Sequence, residues 1–250
     1  MKTLVLVCSM LLVVGTLRAA DELEARVYKD AAGKTLPYRL LQPKNYDAKQ
    51  SYPLVLFLHG AGERGTDNSK QTMHGVKLFT TEENRAKSPC FLAVPQCPNN
   101  EQWVSVPWGA DSHTMPEKPS EPMRLALELV AALQKEFSVD AKRLYVTGLS
   151  MGGYGAWDCI QRNPQMFAAA VPVCGGADDT KGALIAKIPV WAFHGAKDTV
   201  VKTKRSQNII AAMKAAGGDP KYTEVPNVGH NAWDEAYKQP TIEWLFAQKK

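Results

Sequence analysis

The sequence has little charge bias. Its 30 Lys and Arg nearly balance 25 Asp and Glu, leaving a formal +5 over 250 residues. The cations are scattered among acids rather than gathered into a stripe with interleaved aromatics, so nucleic acid is not an expected partner. Cysteine is scarce as well. The five residues Cys8, Cys90, Cys97, Cys159 and Cys174 show no spacing of the kind that builds a zinc site, and no metal is expected. No fixed-period repeat or low-complexity tract is present, which excludes solenoid and array architectures. Nor does any apolar run reach the ~20 residues of a membrane-spanning helix.

The longest apolar run, Leu4 to Val14, follows Met1-Lys2-Thr3 and leads through Gly15–Ala20 to Asp21-Glu22. This pattern reads as a secretory signal peptide over residues 1–20, giving a secreted or periplasmic protein with no stable membrane insertion after cleavage. Cleavage after Ala20 would place Arg18 where a small residue is usual, and cleavage after Ala19 would place Leu17 there, so an uncleaved N-terminal anchor is the alternative. Cys8 lies at the start of the apolar run rather than after it, where lipidation would require it. Loss of Lys2 and Arg18 would lower the formal charge of +5 by two. The rest, residues 21–250, has the size and the 45% hydrophobic content of one globular domain. Export permits disulfides among its four cysteines. Cys90 and Cys97 bracket an extended run of roughly 23 Å, too long for them to pair with each other.

Apolar and amphipathic segments alternate along this domain. Leu23–Lys29 and Leu36–Leu41 form a predicted antiparallel opening pair. Strands follow at Leu54–Leu58, Phe91–Pro95, Arg143–Thr147, Ala168–Val173, Pro189–Phe193 and Lys221–Val225. Helices are predicted in Asn68–Thr80, Pro122–Phe137, the stretch after Ser150, Lys202–Ala216 and Thr241–Lys249. This order predicts an α/β fold, a mostly parallel sheet with helices on both faces, whose functional loops lie at the carboxyl ends of the strands.

The most informative segment is KRLYVTGLSMGGYGAW, Lys142 to Trp157. A β-type run enters Gly148-Leu149-Ser150-Met151-Gly152, a G-x-S-x-G turn that can hold a serine at the top of a strand-to-helix junction because its neighbours lack bulk. A serine in that place needs a base and an acid later in the chain, each beyond a strand end. Asp198 follows IPVWAF (Ile188–Phe193), and His230 follows the strand Tyr222–Val225. Order, residue type and placement therefore converge on Ser150 as nucleophile, His230 as base and Asp198 as the group that orients it. Asp178 or Asp179, also beyond a strand, are the alternative acids. The tetrahedral oxyanion needs backbone donors. Met151, after the nucleophile, offers one, and Ala61 in the loop after Leu54–Leu58 offers the other, with Gly62 as its neighbouring alternative.

The segments LVLFLHGAGERG (Leu54–Gly65), VTGLSMGGYGAW (Val146–Trp157), AFHGAKDTVV (Ala192–Val201) and VGHNAW (Val228–Trp233), with VPQCP at Val94–Pro98, carry a family resemblance. The chain resembles the α/β-hydrolase superfamily. It is most similar to small secreted esterases related to dienelactone hydrolases, prolyl oligopeptidase catalytic domains and polyhydroxybutyrate-depolymerase or feruloyl-esterase-like proteins. The resemblance implies a serine hydrolase that needs no cofactor, but it does not choose the substrate.

Other residues carry weaker signals. His59 and His194 each precede a glycine at a strand end and are expected to structure loops. His74 and His113 lie in unpatterned sequence and read as polar loop residues. Glu63 and Arg64 are adjacent and opposite in charge, an expected ion pair in the oxyanion loop. Trp103 and Trp108, on the long Gln96–Ser120 connection, and Trp233, beside His230, are candidates to bind substrate, the other reading being that they pack the loop. The expected function is hydrolysis of carboxylic esters, with a small-molecule or polysaccharide-linked ester as partner. A serine peptidase of the prolyl oligopeptidase type and a non-catalytic binding protein are the alternatives. Oligomeric state is not encoded in any of these features.

Overall fold

A computed structural model of the protein describes residues 23–250; the expected leader over 1–20, with Cys8, lies outside the described residues. Eight strands form one sheet: β1 (Glu24–Lys29), β2 (Thr35–Leu41), β3 (Tyr52–Leu58), β4 (Phe91–Pro95), β5 (Val139–Leu149), β6 (Ala169–Val173), β7 (Trp191–Gly195) and β8 (Lys221–Val225). Their spatial order is β1-β2-β4-β3-β5-β6-β7-β8. β1 pairs antiparallel with β2 and β2 with β4, while every other pairing is parallel. The helices are α1 (Val76–Thr80), α2 (Glu82–Lys87), α3 (Glu121–Glu136), α4 (Met151–Arg162), α5 (Gly182–Ile185), α6 (Lys204–Ala215), α7 (Trp233–Ala236) and α8 (Gln239–Ala247).

Side-chain alternation along the central strands divides the core into two layers. Leu54, Leu56 and Leu58 of β3 and Leu144 and Val146 of β5 point into one, beneath α3, α4 and α6. Val55, Phe57, Tyr145 and Leu149 point into the other, beneath α1 and α8. Burial on both faces explains why these strands read as continuous apolar runs rather than as alternating ones. From Met151 to Gln161, helix α4 is buried at every position, enclosed between the sheet, α3 and the 96–120 connection.

The predicted helix over Asn68–Thr80 is broken. Asn68 takes φ 50° and Gly75 φ 76°, leaving a 3₁₀ turn at Lys70–Thr72 and the short α1. The cause is long-range: the Asn68 amide donates to the carbonyls of Arg26 and Tyr38, which holds it in the left-handed region that asparagine tolerates. Short α2, α5 and α7 were not expected. β5 begins four residues earlier than predicted, and its first residues flank β3 at Tyr52.

Candidate active site

Ser150 stands where β5 meets α4 with φ 53° and ψ −117°, a non-glycine residue in a region costing roughly 1–3 kcal/mol. The turn is over-determined. The Ser150 amide donates to the Val173 carbonyl at 2.8 Å, and its carbonyl accepts from the Tyr154 amide at 3.1 Å. Gly152 is obligatory for close approach, because a Cβ there would collide with the backbone carbonyl of Leu58.

Three side chains meet at this turn. His230 Nε2 lies 2.8 Å from Ser150 Oγ, and His230 Nδ1 lies 2.8 Å from Asp198 Oδ2. An ionised carboxylate only accepts, so the proton sits on Nδ1 and Nε2 is left to accept from the serine hydroxyl. The loops bearing the acid and the imidazole are pinned together: the Ala196 and Lys197 amides donate to the Val225 and Val228 carbonyls at 3.0 and 2.9 Å. Gly195 permits this contact, since a Cβ would strike the Gly229 carbonyl.

Asp198 is buried and saturated with donors. Its Oδ1 accepts from the Val200 and Val201 amides, both at 2.9 Å, and its Oδ2 faces His194 Nε2 at 3.2 Å besides His230. Burial alone would raise its pKa, but hydrogen bonds from His194, His230 and the two amides hold the carboxyl far below the usual carboxylate range. The alternative acids are committed elsewhere. Asp178 accepts from the Met115 amide and caps a 3₁₀ turn through the Thr180 amide and hydroxyl, and Asp179 bonds Asn208.

The amides of Ala61 and Met151 each begin a helical turn, the 3₁₀ turn Ala61–Glu63 and α4 respectively. Neither donates within the protein among the described residues. The loop carrying Ala61 leaves β3 beside the elbow, in register Leu58 with Gly148, and Gly60 packs against Leu149. The expected Glu63–Arg64 ion pair does not form. The two neighbouring side chains diverge: Arg64 Nε donates to the Ala61 carbonyl at 2.9 Å, while buried Glu63 turns toward His74, 3.8 Å away. Arg64 thus braces the loop through its backbone.

His59 structures its loop as expected. The Cys97 amide donates to its Nε2 at 2.9 Å, and its Nδ1 donates to the Gly60 carbonyl at 2.6 Å. Burial pushes its pKa down to about 4, which keeps this imidazole neutral. Trp103, a candidate substrate contact, is packed into the interior instead of lining an open surface. It is 0% exposed, with its ring edge-on to His59 and its indole N–H donating to the His59 carbonyl at 3.0 Å. Trp108 is half-buried against the core, and its carbonyl accepts from the Tyr154 hydroxyl.

The 96–120 connection is in fact strapped down along its length. Arg205 donates to the Ala110 carbonyl at 2.9 Å and to His113. Lys202 pairs with Asp111 at 2.6 Å, and Arg162 donates to the Pro116 carbonyl at 2.6 Å. Burial first, and then Arg205, press the His113 pKa down to about 4.

Trp233 is half-exposed and meets His230 edge-on, centroids 5.4 Å apart. His74 also lies against this ring, centroids 5.5 Å apart. The sequence around His74 gives no hint of this contact, which depends on the turn at Gly75 bringing two distant segments together. Next to His74, Met73 is among the exposed large apolar residues. The four cysteines in the described residues are free and buried; burial pushes the thiols of Cys90, Cys97 and Cys174 up to about 12. Cys174, His194 and Asp198 cluster closely enough to suggest metal ligands. Both His194 nitrogens, however, are already hydrogen-bonded, Nδ1 with Ser206 at 2.8 Å and Nε2 with the Val201 carbonyl at 2.9 Å. The donor set is closed on itself.

Comparison with known proteins bears on the fold and the family. A solved thermostable esterase is 38% identical with a TM-score of 0.86, over 93% of this chain and 64% of that one. A bifunctional acetylxylan esterase/xylanase from Neocallimastix patriciarum is 28% identical over 189 residues, 73% of this chain and 24% of the relative. A probable carboxylesterase from Oryza sativa subsp. japonica is 23% identical over 203 residues, 75% of this chain and 85% of the relative. The chain thus spans about a quarter of the first relative's length and under two thirds of the solved esterase. The Esterase family model matches residues 30–239. With this match and the eight-stranded α/β-hydrolase sheet, the chain belongs to the Esterase family.

Proposed function

We propose that the chain is a secreted serine hydrolase that cleaves carboxylic esters through an acyl-enzyme on Ser150, with residues 1–20 as its leader and 21–250 as one catalytic domain. The observation that carries the reading is the continuous pair of 2.8 Å contacts from Ser150 Oγ through His230 to Asp198. Ser150 Oγ attacks the carbonyl carbon as His230 Nε2 takes its proton. The resulting oxyanion accepts from the Ala61 and Met151 amides, each worth about 3–4 kcal/mol to the transition state. Collapse expels the alcohol, which takes the proton from His230. Water then repeats the sequence on the acyl-enzyme and releases the acid. Asp198 stays ionised and stabilises the imidazolium throughout.

Trp233, which meets the base that protonates the leaving alcohol, and His74 beside it supply a half-exposed aromatic face for the substrate. Such a face suits sugar-linked or aryl esters, and an acetylxylan esterase among the relatives supports acyl groups on carbohydrate. A panel of acetyl, feruloyl, long-chain and prolyl-peptide substrates tests the reading, with Ser150→Ala as control. Turnover of the esters but not the peptide is expected. Preferential peptide cleavage would instead make the protein a peptidase, and no turnover of any substrate would leave a binding protein.

A further inference from the structure

The carboxylate of Asp198 serves two imidazoles. His230 Nδ1 reaches Oδ2 from the solvent side at 2.8 Å, and His194 Nε2 reaches the same oxygen from the interior at 3.2 Å. His194 is 0% exposed and fixed at both ends. Its Nε2 faces two acceptors, the Val201 carbonyl at 2.9 Å and Asp198, so it must carry a proton. Its Nδ1 lies 2.8 Å from Ser206 Oγ on α6, whose second contact, to the Gly175 carbonyl, is longer at 3.2 Å. The Ser206 hydroxyl donates to that carbonyl, and whichever way the Nδ1 contact runs, the proton on Nε2 of His194 is directed between Val201 and Asp198.

We propose that His194 is a positioning residue that sets the basicity of His230 through the shared carboxylate. This rests on the triad reading above and deepens it. A donor from behind disperses the negative charge on Oδ2, so the carboxylate holds the His230 imidazolium less tightly and keeps the base deprotonated to lower pH. The same N–H fixes the carboxylate plane toward His230, beside the two amides on Oδ1. The sequence HGAKD, with histidine and acid four residues apart across a turn after β7, places the second imidazole behind the acid.

Other titratable groups around the pair do not compete for this role. Cys174 at the end of β6 and Tyr154 in α4 interact with Asp198, but burial pushes both up to about 12, so they stay neutral. Arg205, stacked over the Tyr154 ring at 5.3 Å, holds a constant charge.

The test is the pH dependence of kcat/KM for a short-chain ester, using the full chain with His194→Phe and His194→Gln. Removing the donor should move the acid limb of His194→Phe upward by roughly half a pH unit or more, with lower kcat. A glutamine N–H restores the donor, and the limb should return toward its original place. An acid limb that stays put in His194→Phe, with activity merely reduced, overturns the proposal and leaves His194 a packing residue. Should His194→Phe fail to fold, nitrogen-15 NMR of the unaltered protein decides: a proton on Nε2 of His194 supports the proposal, and one on Nδ1 alone refutes it. Failure of the triad itself would show differently, as an active Ser150→Ala or an unchanged acid limb in His230→Gln.

Discussion

The loop carrying Asp198 and the rim carrying Trp233 both touch the imidazole of His230, yet they are built on opposite terms. On the acid side, four N–H groups converge on one buried carboxylate, and the histidine behind it is itself bonded at both nitrogens. On the rim, Trp233 and His74 are half-exposed and meet through ring contacts, with Glu63 3.8 Å from His74 and no hydrogen bond fixing either ring among the described residues. A saturated buried network has one arrangement, whereas a partly solvated aromatic face can take varied partners. On the proposed function, the chemistry would sit in the rigid network and the selectivity in a few adaptable side chains.

The sharpest way to break this contrast is on the chemical side. Ser150→Ala and Asp198→Asn should each lower kcat for short esters by about 10⁴-fold, read by steady-state hydrolysis, while Asp178→Ala and Asp179→Ala stay within a few-fold. If Asp179→Ala were the inactive variant, the acid assignment would fall. Gly152→Ala should destabilise the fold by roughly 1–3 kcal/mol through overpacking against Leu58, measured by urea denaturation.

On the rim, Trp233→Ala should raise KM for bulky aryl or sugar esters about tenfold or less, leaving stability within error. Trp103→Phe sharpens the comparison from inside the loop: it should cost about 1 kcal/mol of stability and leave KM alone. A KM effect from Trp103 would restore it as a substrate contact.

The acid network also predicts a pH signature. The folded pKa of Asp198 lies well below its unfolded value, so its contribution to stability is present above the ordinary carboxylate range. It is lost as pH falls through the folded value. Denaturation midpoints from pH 7 downward should decline less steeply in Asp198→Asn. The smallest expected effect belongs to the cysteines. With buried thiols and pKa values near 12 for three of them, iodoacetamide at pH 8 should leave activity unchanged until the protein unfolds.

What the sequence displays well is whatever depends on local pattern. The apolar runs of β3, β4 and β5 mark a sheet buried on both faces, and the glycines around Ser150 mark a turn with no room for side chains. Asp198 and His230 are visible as candidates because each follows a strand, although the sequence carries no distance between them. Features that depend on remote partners are hidden. Asn68 breaks a helix-like segment because it is held by Arg26 and Tyr38. Trp103 reads equally as a substrate contact or as a loop anchor until its indole is seen bonded to the His59 carbonyl, and the ring contact of His74 with Trp233 has no local signal. Glu63 and Arg64 show that adjacency in sequence does not make an ion pair when the backbone turns the side chains apart.

The central claim is that the Ser150 hydroxyl is the activated nucleophile. Reaction of the purified protein with a fluorophosphonate, followed by peptide mass analysis, tests it directly. The account predicts a single adduct on Ser150, formed far more slowly in His230→Ala. An adduct on another residue, or equally fast labelling without His230, would contradict it.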